Sequence, residues 1–274
     1  MFPPLPSPAM KPAQLNQALL HAVEAARRAG DLMLGNRSVK KKINLQSQHD
    51  IKLELDVRCQ RIIQKALLEG LPGSSLLGEE GRAGPEDSPL RWVVDPIDGT
   101  VNFAYGVPHA CVSIALQERP EPGGDYSTIL GVVLDPFCSE LWTGLRGGPA
   151  KLNGKKIRVS RRTRLEEAII AIGFAKQTQS LRENLPLFNA LIWRARKMRI
   201  MGAAALSLAY VASGRFDAYI ESGIQLWDIA AAGFILERAG GDFFRQKIAG
   251  QQTYRMLANN GLLRRKIQRV IQAA

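Results

Sequence analysis

Trp92-Val93-Val94-Asp95-Pro96-Ile97-Asp98-Gly99-Thr100-Val101-Asn102-Phe103 is the stretch on which the fold turns. An apolar run of strand type leads straight into two acids, a proline and a glycine. Asp95 is expected to finish the strand. Pro96 then turns the chain and removes one backbone donor, so Asp95 and Asp98 can converge on one point. Gly99 and Thr100 open a short helix or turn whose free N–H groups favour a phosphate beside the carboxylates. Acids alone repel such a ligand, so divalent cations are needed between them, and an all-oxygen donor set favours Mg2+ over zinc. In isolation the same residues also read as a turn with an aspartate cap.

Two further segments carry acids after or before apolar runs. Leu76-Leu77-Gly78-Glu79-Glu80-Gly81 offers a carboxylate from a neighbouring strand end, although loop acids are usually solvent-facing. Gln225-Leu226-Trp227-Asp228-Ile229-Ala230-Ala231-Ala232-Gly233 precedes an apolar helix, with Asp228 expected at the N-cap. The small residues behind it would let that helix approach a site closely.

Outward from these motifs, Leu15, Leu19, Ala22, Ala26 and Ala29 recur at helical spacing, as do Leu55, Cys59, Ile62, Ile63, Ala66 and Leu67. Strand-type runs follow at residues 75–77, 92–94, 111–116, 128–134 and 140–143, which predicts helices laid on an antiparallel or mixed sheet. Residues 119–124 read as a surface loop within a hairpin. From about residue 151, strands at 168–172, 197–200, 218–220 and 256–258 alternate with helices at 181–193, 203–212, 229–239 and 262–271, an α/β second half.

Taken jointly, the Gly-Glu-Glu, Asp-Pro-Ile-Asp-Gly-Thr-x-Asn-Phe and Trp-Asp-x-Ala-Ala-x-Gly segments resemble the inositol monophosphatase family of the fructose-bisphosphatase-like superfamily. Gly147-Gly148-Pro149-Ala150, Asn153-Gly154 and Ile157-Arg158-Val159-Ser160 extend the likeness over most of the chain. The resemblance implies a layered αβαβα sandwich, with an α+β part at residues 1–150 and an α/β part at 151–274. It implies two or three Mg2+ ions, or Mn2+ in their place, on Glu79, Asp95, the Ile97 carbonyl, Asp98 and Asp228, with Asp95 bridging two ions. Thr100 and Glu79 would activate a metal-held water for in-line attack, and Asp56 would support the site. Asp98, Gly99, Thr100, Ala204, Glu221 and Asp228 would hold the substrate, most simply an inositol monophosphate. A homodimer and lithium inhibition are implied as well. Lys52 and Glu54 stand where the family usually carries small or hydroxyl residues, a departure in the loop near the third metal, and Gly202-Ala203-Ala204 lacks a usual hydroxyl, a departure in the contacts to the alcohol.

Composition narrows the alternatives. With no apolar run of transmembrane length and no signal-like start, the 274 residues read as a soluble cytoplasmic protein with no membrane partner. The net charge of +12 suits anionic metabolites or nucleic acid, but its clusters, 40–42, 161–162, 194–199 and 264–266, are scattered, as solvated faces are. Cys59, Cys111 and Cys138 are expected to be buried, and none begins a Cys-x5-Arg loop. His21, His49 and His109 lie in no phosphatase motif, and the spacing of Asp95 and Asp98 is wrong for an aspartyl-phosphate mechanism. Fructose 1,6-bisphosphate, histidinol phosphate, a nucleotide 3'-phosphate or NADP are alternative substrates, and docking on RNA or a transcription complex is the alternative of another class.

Overall fold

The computed structural model describes residues 10–38, 43–46, 51–121, 123–174, 178–249 and 253–273. The Pro-rich start, Lys40 to Lys42 and His49 lie outside the described residues. Helices α1 (Pro12–Asn36) and α2 (Glu54–Gly70) come first, with the antiparallel pair β1 (Ile43–Gln46) and β2 (Ile51–Leu53) between them. Then follow β3 (Ser75–Gly78), β4 (Gly81–Ala83), β5 (Leu90–Asp98), the short helix α3 (Thr100–Ala104), β6 (Cys111–Glu118), β7 (Ser127–Asp135), β8 (Glu140–Leu145), β9 (Lys151–Leu152) and β10 (Lys155–Lys156). These eight strands form one mixed sheet in the order β10-β9-β8-β7-β6-β5-β3-β4.

The remaining elements are β11 (Ile169–Ile172), α4 (Thr178–Ile192), β12 (Lys197–Arg199), α5 (Ala204–Ala212), β13 (Ala218–Ile224), α6 (Leu226–Arg238), β14 (Asp242–Lys247), β15 (Tyr254–Asn259) and α7 (Arg264–Ala273). Their five strands make a second mixed sheet, β12-β11-β13-β15-β14.

Strand alternation sorts the side chains of the first sheet between two cores. Trp92, Val94, Val112, Ile114 and Leu116 pack with α1 and α2, whereas Val93, Cys111 and Ala115 face α5 and α6. Being covered on both faces, β5 and β6 are buried almost throughout, and the central run of β5, Trp92 to Val94, is continuously apolar. The second sheet packs its inner face on α5 and α6 and its outer face on α4 and α7. The result is the five-layer αβαβα sandwich that the resemblance implied.

One close contact sets the position of the middle layer. A Cβ at Gly131 of β7 would lie 2.6 Å from the Ala231 carbonyl oxygen, so only glycine lets α6 seat on the sheet at this depth. The run Ala230-Ala231-Ala232, fully or almost fully buried, serves the same approach.

Three local expectations change. Strand β5 does not stop at Asp95 but runs through Pro96 to Asp98, with its pairing to β6 shifted between Asp95 and Asp98; a bulge is where a sheet tolerates proline. Cys59 and Cys111 are buried, but Cys138 is exposed in the turn after β7. Strands β1, β2, β4, β9, β10 and β14 escaped the sequence reading: β2, β4, β9 and β10 are only two or three residues long, β1 only four, and β14 is an edge strand with mostly polar residues. Among the described residues, no helix is long and apolar enough to cross a membrane.

Candidate active site

The tip of β5, the start of β3's following turn, the first turn of α6 and the entry to α5 border one cavity of about 590 Å3. Glu79, Asp95, Asp98 and Asp228 all line it. Glu79 is delivered by the parallel pairing of β3 with β5, extended by Glu79 N–H donating to Val94 O at 3.1 Å. Asp95 turns its Oδ1 onto the Ile97 N–H at 3.0 Å, and Thr100 Oγ1 donates to Ile97 O at 2.9 Å, which knits the bulge together. Gly99 has φ of +91° at the N-cap of α3, and a Cβ there would meet His109 O at 2.9 Å. Glycine is therefore required by both conformation and space.

Burial, followed by the charges of Glu79, Asp98 and Asp228, pushes the Asp95 carboxyl well above the usual range, and Asp95 and Asp228 share a hydrogen bond. The Asp98 carboxyl rises to about 6, again through burial, against the pull of the backbone N–H groups of Ala204 and Ala205. Those two N–H groups donate to Asp98 at 3.1 and 2.7 Å, so an acid at the tip of the first sheet caps helix α5 from 106 residues away. The Cys111 thiol also donates to Asp98, at 3.6 Å. No three acid, imidazole or thiol side chains among the described residues are already drawn together around a cation position. The acids instead repel one another in a buried place, and an oxygen-only donor set of this kind fits a hard divalent cation.

Asp228 is the third residue of α6 rather than its cap: Gln225 is the N-cap, and its N–H donates to Asp228 Oδ2 at 2.9 Å. Asp56 likewise is the third residue of α2, buried, accepting the Leu53 N–H at 2.7 Å. It is not among the residues lining the cavity. Ile97, Gly99, Thr100, Ala204 and Glu221 all are. Glu221 lies on β13, buried, and accepts a hydrogen bond from the Tyr219 hydroxyl. Burial and the Glu221 charge hold the Tyr219 hydroxyl well above its usual pKa.

Tyr219, Asn102 and Ser207 border the cavity without having been singled out as site residues. Tyr219 stands two positions before Glu221, on the same face of its strand, and that spacing was the available signal.

The sequence profile described as the inositol monophosphatase family matches residues 14–273. The chain belongs to the inositol monophosphatase family. Membership makes it a phosphatase acting on small phosphate substrates, within a family that is generally metal-dependent. Nus factor SuhB of Xylella fastidiosa is 37% identical over 260 residues, covering 91% of this chain and 92% of that protein. Inositol monophosphatase 1 of Solanum lycopersicum is 35% identical over 237 residues, covering 84% and 85%. Among solved structures, the extragenic suppressor protein SuhB of Bartonella henselae superimposes with a TM-score of 0.83 at 33% identity, covering 92% of this chain and 97% of that one.

Proposed function

We propose that the protein hydrolyses a small phosphate monoester, inositol monophosphate first among them, by direct in-line attack of water that requires Mg2+. The observation that carries this is the convergence of Glu79, Asp95, Asp98 and Asp228 on one cavity, with Asp95 forced toward protonation by burial and by the other three. Mg2+ ions, when bound, neutralise charge on the phosphoryl oxygens and lower the pKa of water. Glu79, Asp95, the Ile97 carbonyl, Asp98 and Asp228 hold two or three of them, and Mn2+ can take their place.

Thr100 and Glu79 orient the attacking water, the Thr100 oxygen accepting its hydrogen bond and Glu79 taking its proton, with the Thr100 hydroxyl fixed by its bond to Ile97 O. Asp56 supports the site from the start of α2. Asp98, Gly99, Thr100, Ala204, Glu221 and Asp228 hold the ester, the buried Glu221 accepting hydroxyl hydrogen bonds from the alcohol. Residues 1–150 supply most of the cation ligands, and residues 151–274 supply Asp228 and the alcohol contacts. The protein works as a lithium-sensitive homodimer in the cytoplasm.

Phosphate release from a panel of monoesters, with Mg2+ present or chelated, tests the proposal. Preferential turnover of inositol monophosphate with Mg2+ is expected. Preference for fructose 1,6-bisphosphate, histidinol phosphate, a nucleotide 3'-phosphate or NADP would reassign the substrate, and no turnover of any ester would remove the proposal.

The relatives called Nus factor SuhB, together with the net charge of +12, favour a second reading in which the basic surface docks on RNA or a transcription complex. An Asp95→Asn variant that loses hydrolysis yet keeps a cellular role would promote it.

A further inference from the structure

Asn102 lies on α3 and borders the cavity, and its side-chain amide ties together two backbone segments that are remote in sequence. Nδ2 donates to His109 O at 2.9 Å, ahead of β6, and to Met201 O at 2.8 Å, 99 residues away. Both of its N–H bonds are thereby used, and the two carbonyl partners settle which end of the amide is nitrogen. Gly202 follows with φ of +73°, and a Cβ built there would lie 3.2 Å from Asn102 Nδ2 and 3.4 Å from its Oδ1. The amide is thus stacked directly against the backbone of the turn that enters α5. That turn brings Ala203 and Ala204 to the cavity wall, and its far end is held by Asp98 through the Ala204 and Ala205 N–H groups.

From this we infer that Asn102 is a positioning residue that sets the distance of the Met201 to Ala204 turn from the phosphate end of the cavity, and with it the fit of the substrate's alcohol. The inference rests on the proposed reading of the cavity, with the alcohol directed toward Ala204 and Glu221. The chemistry is specific to a neutral amide. A carboxylate at this position has no N–H to donate and sets negative charge against two carbonyl dipoles, while a serine hydroxyl can donate to only one of them. With the anchor gone, the turn and the N-terminus of α5 are held by the packing of Ala203 to Ala205 in the core and by the Asp98 hydrogen bonds, and Asp98 is shared with the acid cluster.

Steady-state kinetics of the full chain with Mg2+, on inositol monophosphate and on p-nitrophenyl phosphate, test this in wild type, Asn102→Asp and Gly202→Ala. The glycine variant pushes a methyl group against the same amide and serves if Asn102→Asp does not fold. Both variants are expected to raise KM for inositol monophosphate about tenfold, equivalent to roughly 1.4 kcal/mol, while kcat and the aryl ester's KM shift by less than about threefold. A smaller folded fraction lowers apparent kcat on both esters equally and leaves KM alone, so the split separates positioning from mere stability. Unchanged KM in both variants, or equal losses on the two esters, overturns the role of Asn102. Wild type that hydrolyses the aryl ester alone overturns the alcohol-side reading beneath it, and wild type inert toward both overturns the phosphatase site.

Discussion

Asp56 and Asp228 occupy the same local position in two helices and end in different surroundings. Each is the third residue of its helix, and each carboxylate accepts the N–H of the N-cap residue, Leu53 at 2.7 Å and Gln225 at 2.9 Å. The difference lies in where the helix is seated. Helix α6 lies between the two sheets, brought down by the Gly131 contact, so its first turn faces the tip of β5 and Asp228 enters the cavity. Helix α2 packs on the outer face of the first sheet, and Asp56 is buried outside the cavity lining. A capping acid becomes a chemical group only when tertiary packing aims its helix at other acids.

Substitution by asparagine sharpens this comparison most, because asparagine keeps the acceptor for the cap and deletes only the charge. Asp228→Asn is expected to lower phosphate release by about 10³-fold. Asp56→Asn, acting from behind the site, should cost only about 10- to 100-fold, and equal losses in a phosphate-release assay would erase the distinction.

Cation binding gives the next largest difference. At roughly 100 times its Kd, Mg2+ should stabilise wild type by about 2.7 kcal/mol in thermal melts, and Asp56→Asn should keep most of that gain while Asp228→Asn loses it. In chelated protein the ranking reverses. Asp56→Ala loses a cap worth about 1 kcal/mol, whereas Asp228→Ala loses a like cap but relieves repulsion on Asp95, and the two should offset to a nearly neutral change in denaturant melts.

The smallest effect comes from a half-buried ring pair outside the cavity. His109 packs against the Tyr210 ring near Asp135, and burial lowers its pKa despite the Asp135 charge. The folded state therefore binds this proton less readily than the unfolded chain. The stability concerned is complete above about pH 6.5 and is lost as pH falls below it, by less than about 1.4 kcal/mol per pH unit. Burial raises the Asp135 carboxyl, which works in the opposite sense at lower pH. A His109→Gln variant should flatten the melting temperature between pH 5 and 6.5, and Mg2+ should not alter that slope.

The strand-to-acid stretch at Trp92 to Phe103 was legible because a doubly covered strand must be continuously apolar, and acids at its end then stand out. Glu79 and Asp228 became legible only jointly with it, since loop and capping acids are common. The role of Asp98 as a cap for α5 was not legible, because no local pattern links residues separated by 106 positions. The same holds for the span of Asn102 from His109 to Met201. Strand β14 was missed because its edge position leaves it polar, without the apolar run that marks buried strands.

Release of phosphate from inositol monophosphate by wild type and Asp95→Asn, each with Mg2+ and with a chelator, bears most directly on the gathering of acids around a cation-held phosphoryl group. Release confined to wild type with Mg2+ is the predicted result. Turnover that survives chelation, or that persists in Asp95→Asn, would contradict it.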